Sequence, residues 1–268
     1  VECGLKDSED NPVYSEVLSI YNGRVWVADG ATIYYSALGT YDDFETKDDA
    51  GYINNFHTNT DSITALKPYK EYLAIYKKNS VYLLTGISQE DFAITPFADK
   101  GAYSQRSIVN VENRQYFLSN GIYALEQTGE LNQIQLGSEI SRKINPEFDN
   151  FNKVSMQYAI SLHYEIKNQV WYLIPYTDNE FFNTIWINDY INKAWYKRVV
   201  PQNITTACLF NDYILTGDDS GTIYREDYGT NFDGKTIKFM WKSPFLALNS
   251  AHHRKLIDEF YFILDQAY

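Results

Sequence analysis

The chain has 268 residues, a formal net charge of −12 and a 16% aromatic share that includes 24 tyrosines. That acidity excludes a simple nucleic-acid binder, which needs a basic face, though not a surface that DNA passes without sticking. Two cysteines rule out a disulfide framework, and no apolar run is long enough for a transmembrane helix.

The first predicted elements are the apolar runs "EVLSIY" (17–22) and "RVWVA" (24–28), joined by Asn22-Gly23. Asn-Gly is a strong hairpin signal, because both residues tolerate the positive φ of a tight turn. A third run follows a small-residue turn in "DGATIYYS" (29–36). The same grammar then recurs. "SITAL" (62–66) and "YLAIY" (72–76) precede "KNSVYLLT" (78–85). "SIVNV" (107–111) and "QYFLS" (115–119) precede "SNGIYALE" (119–126). "YAISLH" (158–163) and "VWYLI" (170–174) precede "FNTIWIND" (182–189). "ITTACLF" (204–210) and "DYILT" (212–216) precede "SGTIYRED" (220–227).

The echoed aromatics are Tyr34, Tyr82, Tyr123, Trp186 and Tyr224, spaced 48, 41, 63 and 38 residues apart. Propeller blades repeat every 40–50 residues or so. The long interval contains a visible insertion, "PYTDNEFF" (175–182). A more polar fourth strand is expected at "FAIT" (92–95), "QIQL" (133–136), "WYKRVV" (195–200) and "TIKFM" (236–240). The unit is three or four short antiparallel strands, five times over. One such sheet cannot bury both faces, whereas radially stacked sheets can. The expected fold is all-β, a β-propeller of about five blades, with a sixth by closure left open. The five aromatics are expected to pack between blades, where their large area counts most. A β-sandwich uses similar strands but gives no reason for one fixed order.

Helix signals are scarce. "GSEISRKINPEF" (137–148) predicts one short helix capped by Ser138 and ended by Pro146. Cys208, inside an apolar run, reads as a small core residue. Residues 1–246 are assigned to the propeller. Residues 247–268, with "LIDEFYFIL", read as a linker and the first strand of a following β domain, or as a closing strand.

No catalytic signature is present: there is no G-x-S-x-G, H-E-x-x-H, P-loop or G-x-G-x-x-G. His57, His163, His252 and His253 lack zinc-ligand spacing. The acidic stretches "YDDFETKDD" (41–49) and "TGDDSG" (216–221) do not match a calcium loop. They read as solvated turns, as do Asp218, Asp219 and Asp227. Trp186, Trp195 and Tyr196 are candidates for stacking on sugars, with packing between blades as the simpler reading. No cofactor, metal or catalytic residue is expected.

Several segments resemble the β-propeller proteins of phage tails. "RVWVADGATIYYSALGTYDDFE" (24–45) is similar to that family's first blade, and "SITALKPYKEYLAIYKKNSVYLLTG" (62–86) to its second. "RSIVNVENRQYFLSNGIYALE" (106–126) resembles the third, and "LGSEISRKI" (136–144) the segment after it. "NQVWYLIP" and "TIWINDYINKAWYK" resemble the fourth. "HHRKLIDEFYFIL" (252–264) resembles the strand that opens the next β domain. The family comprises tail hub, nozzle and packaged-DNA stabilisation proteins of tailed phages. The resemblance implies a non-enzymatic structural subunit of the virion, made in the host cytoplasm. It implies a homo-oligomeric ring, usually of six copies, that lines the DNA-exit conduit and helps retain packaged DNA. Its implied partners are other tail proteins, such as the adaptor and fibre or spike, and passing DNA without sequence-specific binding. A glycan-binding or glycoside-hydrolase-like surface propeller is the alternative.

Overall fold

The computed structural model describes residues 5–6, 11–54, 61–127, 133–176 and 180–240. The chain divides into two compact units, Val1–Gly229 and Thr230–Tyr268.

The first unit contains five antiparallel sheets. Sheet 1 comprises β1 (Val17–Tyr21), β2 (Arg24–Asp29), β3 (Thr32–Tyr35) and β4 (Gly51–Ile53). Sheet 2 comprises β5 (Ile63–Tyr69), β6 (Tyr72–Lys77), β7 (Val81–Thr85) and β8 (Ala93–Ala98). Sheet 3 comprises β9 (Ile108–Val111), β10 (Arg114–Leu118), β11 (Ile122–Gln127) and β12 (Ile134–Leu136). Sheet 4 comprises β13 (Ile160–Tyr164), β14 (Gln169–Leu173), β15 (Thr184–Asp189) and β16 (Ala194–Val199). Sheet 5 has three strands, β17 (Ile204–Phe210), β18 (Tyr213–Asp218) and β19 (Ile223–Arg225). Each strand pairs with the next in sequence. The five echoed aromatics all fall on the third strand of their sheet.

Turn chemistry agrees with this plan. Asn22 and Gly23 both have positive φ, at 47° and 72°, in the β1–β2 turn. Asn211 and Asp212 do the same between β17 and β18. Pro68 sits inside β5, where it can bond only on one side. β5 is the edge strand of its sheet, the place that tolerates a missing N–H.

Alternation along the strands links neighbouring sheets. Leu73 and Ile75 of β6 enter the core between sheets 1 and 2. Ala74 and Tyr76, one residue out of step, enter the core between sheets 2 and 3. On β10, Phe117 enters that second core, while Tyr116 and Leu118 enter the core between sheets 3 and 4. Successive side chains point to opposite faces, so one strand serves two interfaces. The edge-on ring pair Tyr35–Phe92 (5.1 Å) adds to the first interface, and Tyr76–Phe117 (5.3 Å) to the second.

The first strands of the sheets lie close together: β1 beside β5, β9 beside β13, and β13 beside β17. One 3₁₀ turn, η1 (Gln105–Ser107), bonds to four of the five sheets besides leading into β9. Gln105 accepts the Leu66 N–H at 2.8 Å and donates to the Leu66 carbonyl at 2.8 Å. Its amide also donates to the Leu18 carbonyl on β1 at 3.1 Å. Arg106 donates to Thr206 Oγ1 on β17 at 3.0 Å. The Ser107 carbonyl accepts the buried Ser161 hydroxyl of β13 at 3.1 Å.

Four expectations from the sequence are corrected. Residues 236–240 form no strand. They are exposed, and among the described residues no neighbour supplies the ladder bonds a strand needs. The expected helix is a 3₁₀ helix, η2 (Ile140–Asn150), with Glu139 as N-cap and Pro146 inside it. The fixed φ of proline, about −65°, suits a 3₁₀ turn, so Pro146 does not end it. Ser141, not Ser138, anchors its start, accepting the Ile122 N–H at 3.0 Å. Cys208 is exposed rather than core, because it lies on the face of sheet 5 with no sheet against it among the described residues. The expected boundary at 246–247 and the strand in 247–268 lie outside the described residues. In the second unit, Phe232 and Lys235 pair across a tight turn with Gly234 at φ 78°.

Sheets 4 and 5 are joined by charge as well as packing. Arg198 on β16 pairs with Glu226 at 3.1 Å and with Asp227. Lys167 reaches Asp227 at 2.9 Å, and Thr216 donates to Glu226 at 2.8 Å. The Arg198 guanidinium also stacks 4.5 Å above the Trp171 ring. Burial works to raise the Asp227 pKa, but Arg198 and Lys167 outweigh it and hold the carboxyl below its ordinary value. A depressed carboxyl stabilises the fold above its unfolded pKa, about 4, and that stability is lost as pH falls through the folded value. Asp227→Asn should therefore cost about 1–2 kcal/mol at pH 7. It should also flatten the loss of stability below about pH 4. Urea denaturation of both proteins across pH 2.5–7 checks this; parallel acid limbs would contradict it.

Candidate functional site

The first strands leave a half-enclosed cavity of about 370 Å³ between them. Its wall is built from β5, β9, β13 and β17, with the 3₁₀ turn Glu165–Lys167 and the β17–β18 turn at the rim. Its polar lining residues are Lys67, Asn110, Ser161, His163, Glu165 and Asp212. Ile108, Leu162 and Leu209 supply apolar wall.

Most of these polar groups are already engaged. Asn110 Oδ1 accepts from Gln115 Nε2 at 2.8 Å. The Ser161 hydroxyl is committed to the Ser107 carbonyl. His163 Nε2 lies 3.2 Å from the Tyr190 hydroxyl, which donates to Asn168 at 3.3 Å. Glu165 and Asp212 are exposed. Lys67 is half-buried. Burial pushes its pKa below the usual lysine value, and no charged neighbour opposes that shift.

His163 is also shifted downwards. Burial is the main cause, and Glu165 and Glu112 partly offset it. The imidazole is therefore neutral at pH 7, an acceptor or donor according to its tautomer. Chemically the cavity offers one cation, one neutral imidazole and two rim carboxylates. It has no nucleophile held by a base, and no three metal-ligating side chains cluster anywhere among the described residues.

The residues singled out by sequence lie elsewhere. Tyr82 is buried between sheets 1 and 2. Trp186 is buried in the core of sheets 3 and 4, and Tyr123 packs half-buried against the core of sheets 2 and 3. Tyr34 faces Tyr52 at 6.1 Å on the other side of sheet 1. Tyr224 is half-buried and donates to Asp218 at 2.8 Å. Asp218 also accepts the Ser220 and Thr222 N–H groups, so it organises the β18–β19 turn. Asp219 accepts from Asn203 at 2.9 Å. Trp186, 6% exposed, offers no open stacking platform. Trp195 is half-buried, 5.7 Å from Tyr172 and 6.5 Å from Trp186, while Tyr196 is 49% exposed. His57, His252 and His253 lie outside the described residues.

Sequence reasoning missed Lys67 and the Gln105–Ser107 junction. Lys67 reads as an ordinary polar residue in "ITALKPY", and nothing local marks it. Its surroundings come from β9, β13 and β17, 40 residues or more away.

A scan against protein families and a search of curated proteins found no match. Among solved structures, the chain is similar to a computationally designed protein, Ika8. Identity is 12%, the match covers 82% of this chain and 60% of that one, and the TM-score is 0.46. The chain thus aligns with about three fifths of the designed protein's length. No helix among the described residues is long and apolar enough to cross a membrane.

The downward shift of His163 gives a direct expectation. A folded pKa below the unfolded value of about 6.5 means that stability is full above that pH and falls as pH drops through the folded value. NMR titration should place the His163 imidazole below 6.5, and His163→Gln should remove the corresponding stability loss below about pH 6.5. Titration at or above 6.5 would contradict the burial argument.

Proposed function

We propose that the five sheets are the blades of a β-propeller closed around η1, and that the propeller is a structural module of a phage tail hub or nozzle. In this reading the protein does not turn over a substrate. It works by assembly, forming part of the conduit through which DNA leaves the particle and helping to retain packaged DNA until then.

The observation that carries the reading is the sequence resemblance across most of the chain, segment by segment. Those segments coincide with successive sheets: 24–45 with sheet 1, 62–86 with sheet 2, 106–126 with sheet 3. Two further features are in keeping with it. The junction limits how far the ends of the array can part. Extended glutamine and arginine side chains span roughly 5–7 Å and consecutive Cα atoms about 3.8 Å, so the Leu18 carbonyl oxygen and Thr206 Oγ1 lie within about 22 Å of each other. Stacked sheets sit about 10 Å apart, so that reach is compatible with a ring in which one further sheet at most stands between sheets 1 and 5. A propeller of five blades, or six with one added sheet, fits that limit.

The second feature is charge. A surplus of carboxylates repels phosphate, whereas lysine and arginine would grip it. A net charge of −12 suits a wall past which DNA slides. In such an assembly the contacts between copies are head-to-tail and close into a ring.

Mass photometry of the full-length protein should give one discrete ring, six copies by the resemblance, and cryo-EM of particles should put the chain on the tail axis. A monomer at all micromolar concentrations, together with density off that axis, would overturn the reading.

A further inference from the structure

The cavity among the first strands has a chemical preference of its own. Lys67 is its only lysine or arginine among the described residues. No hydrogen bond or ion pair engages its amine among the described residues, in contrast to the paired Lys167, Lys197 and Arg198. Glu165 and Asp212 share the lining, but the downward shift of Lys67 has burial as its sole cause, so neither carboxylate compensates its charge. A cation drawn partly out of water without a counter-charge is unfavourable, and an anion brought beside it relieves that cost.

The remaining walls define the anion. A volume of about 370 Å³ exceeds the share of one water, about 30 Å³, by an order of magnitude, so the space holds a small molecule with its hydration. The neutral His163 adds a polar edge without a second full charge. The exposed Glu165 and Asp212 at the rim disfavour entry of multiply charged species. Ile108, Leu162 and Leu209 give apolar surface for a short carbon body.

We propose that this cavity is a binding site for a small monocarboxylate, whose carboxyl group pairs with the Lys67 amine. The site is independent of the tail assignment, since it rests on the cavity and on the unpaired lysine alone. It is formed within one copy of the chain by four sheets, so occupancy also ties β5 to β9, β13 and β17.

Acetate is the probe. Backbone amide NMR of the protein, titrated with sodium acetate against sodium chloride at equal ionic strength, should give saturable shifts at Asn110, Ser161 and His163. Saturation is expected below about 100 mM, with a rise in Tm of a few degrees at ten times Kd. Lys67→Met should abolish the saturable shifts, and Lys67→Arg should keep them. Each variant is first checked by circular dichroism and melting in chloride. If Lys67→Met does not fold, Lys67→Gln takes its place. Linear, unsaturated shifts in the wild type, or equal binding by the uncharged variant, would overturn the site. Inorganic phosphate binding at pH 7.5 as tightly as acetate would overturn the monocarboxylate preference.

Discussion

The Gln105 side chain is the interaction on which the arrangement depends most. A single amide satisfies the N–H and carbonyl of Leu66 and adds the carbonyl of Leu18. These are free edge groups of first strands, which no neighbouring strand in their own sheets can satisfy. Arg106 and Ser107, its neighbours in sequence, extend the same tie to β17 and β13. The apolar cores bind sheets 1 to 4, each to the next. The junction acts differently, because it relates sheets that are far apart in the array. An edge strand with unpaired groups invites association with other chains, and a polar turn set against those edges occupies them.

Packing and polar chemistry are separated along each strand. The middle strands carry the apolar residues that face two ways, as in "YLAIY", where alternate residues enter different cores. The carboxylates gather in turns. Asp91 accepts the N–H groups of Ile87 and Ser88, and Asp189 accepts that of Asn192. These bonds hold each carboxyl below its ordinary pKa. Much of the acidity therefore has a local structural use. The remaining exposed acids are the ones on which a phosphate-repelling surface would rest.

Local pattern in the sequence carries the strands because each is a short apolar run between turn residues. "SGTIYRED" illustrates both the reach and the limit of such a pattern. Gly221 takes φ 85° in the β18–β19 turn and Asp218 organises it, as turn chemistry demands. Yet Ile223 is 73% exposed, since nothing among the described residues covers that face of sheet 5. The same missing cover exposes Cys208, which its apolar neighbours in sequence had marked as core. The cavity was not legible at all. Lys67 acquires its character from strands distant in sequence, and a lone lysine in an alternating strand has no local signature. Gln105 was equally silent, for a polar turn residue reveals its partners only when the sheets are assembled.

The most direct test is Gln105→Ala, read by urea denaturation together with amide hydrogen exchange. Loss of three hydrogen bonds, with partly buried groups left unpaired, should cost about 1–3 kcal/mol. Protection should fall in both β1 and β5, around Leu18 and Leu66, while β14 and β15 keep theirs. Unchanged stability with unchanged protection in β1 and β5 would contradict the view that this turn ties the sheets together.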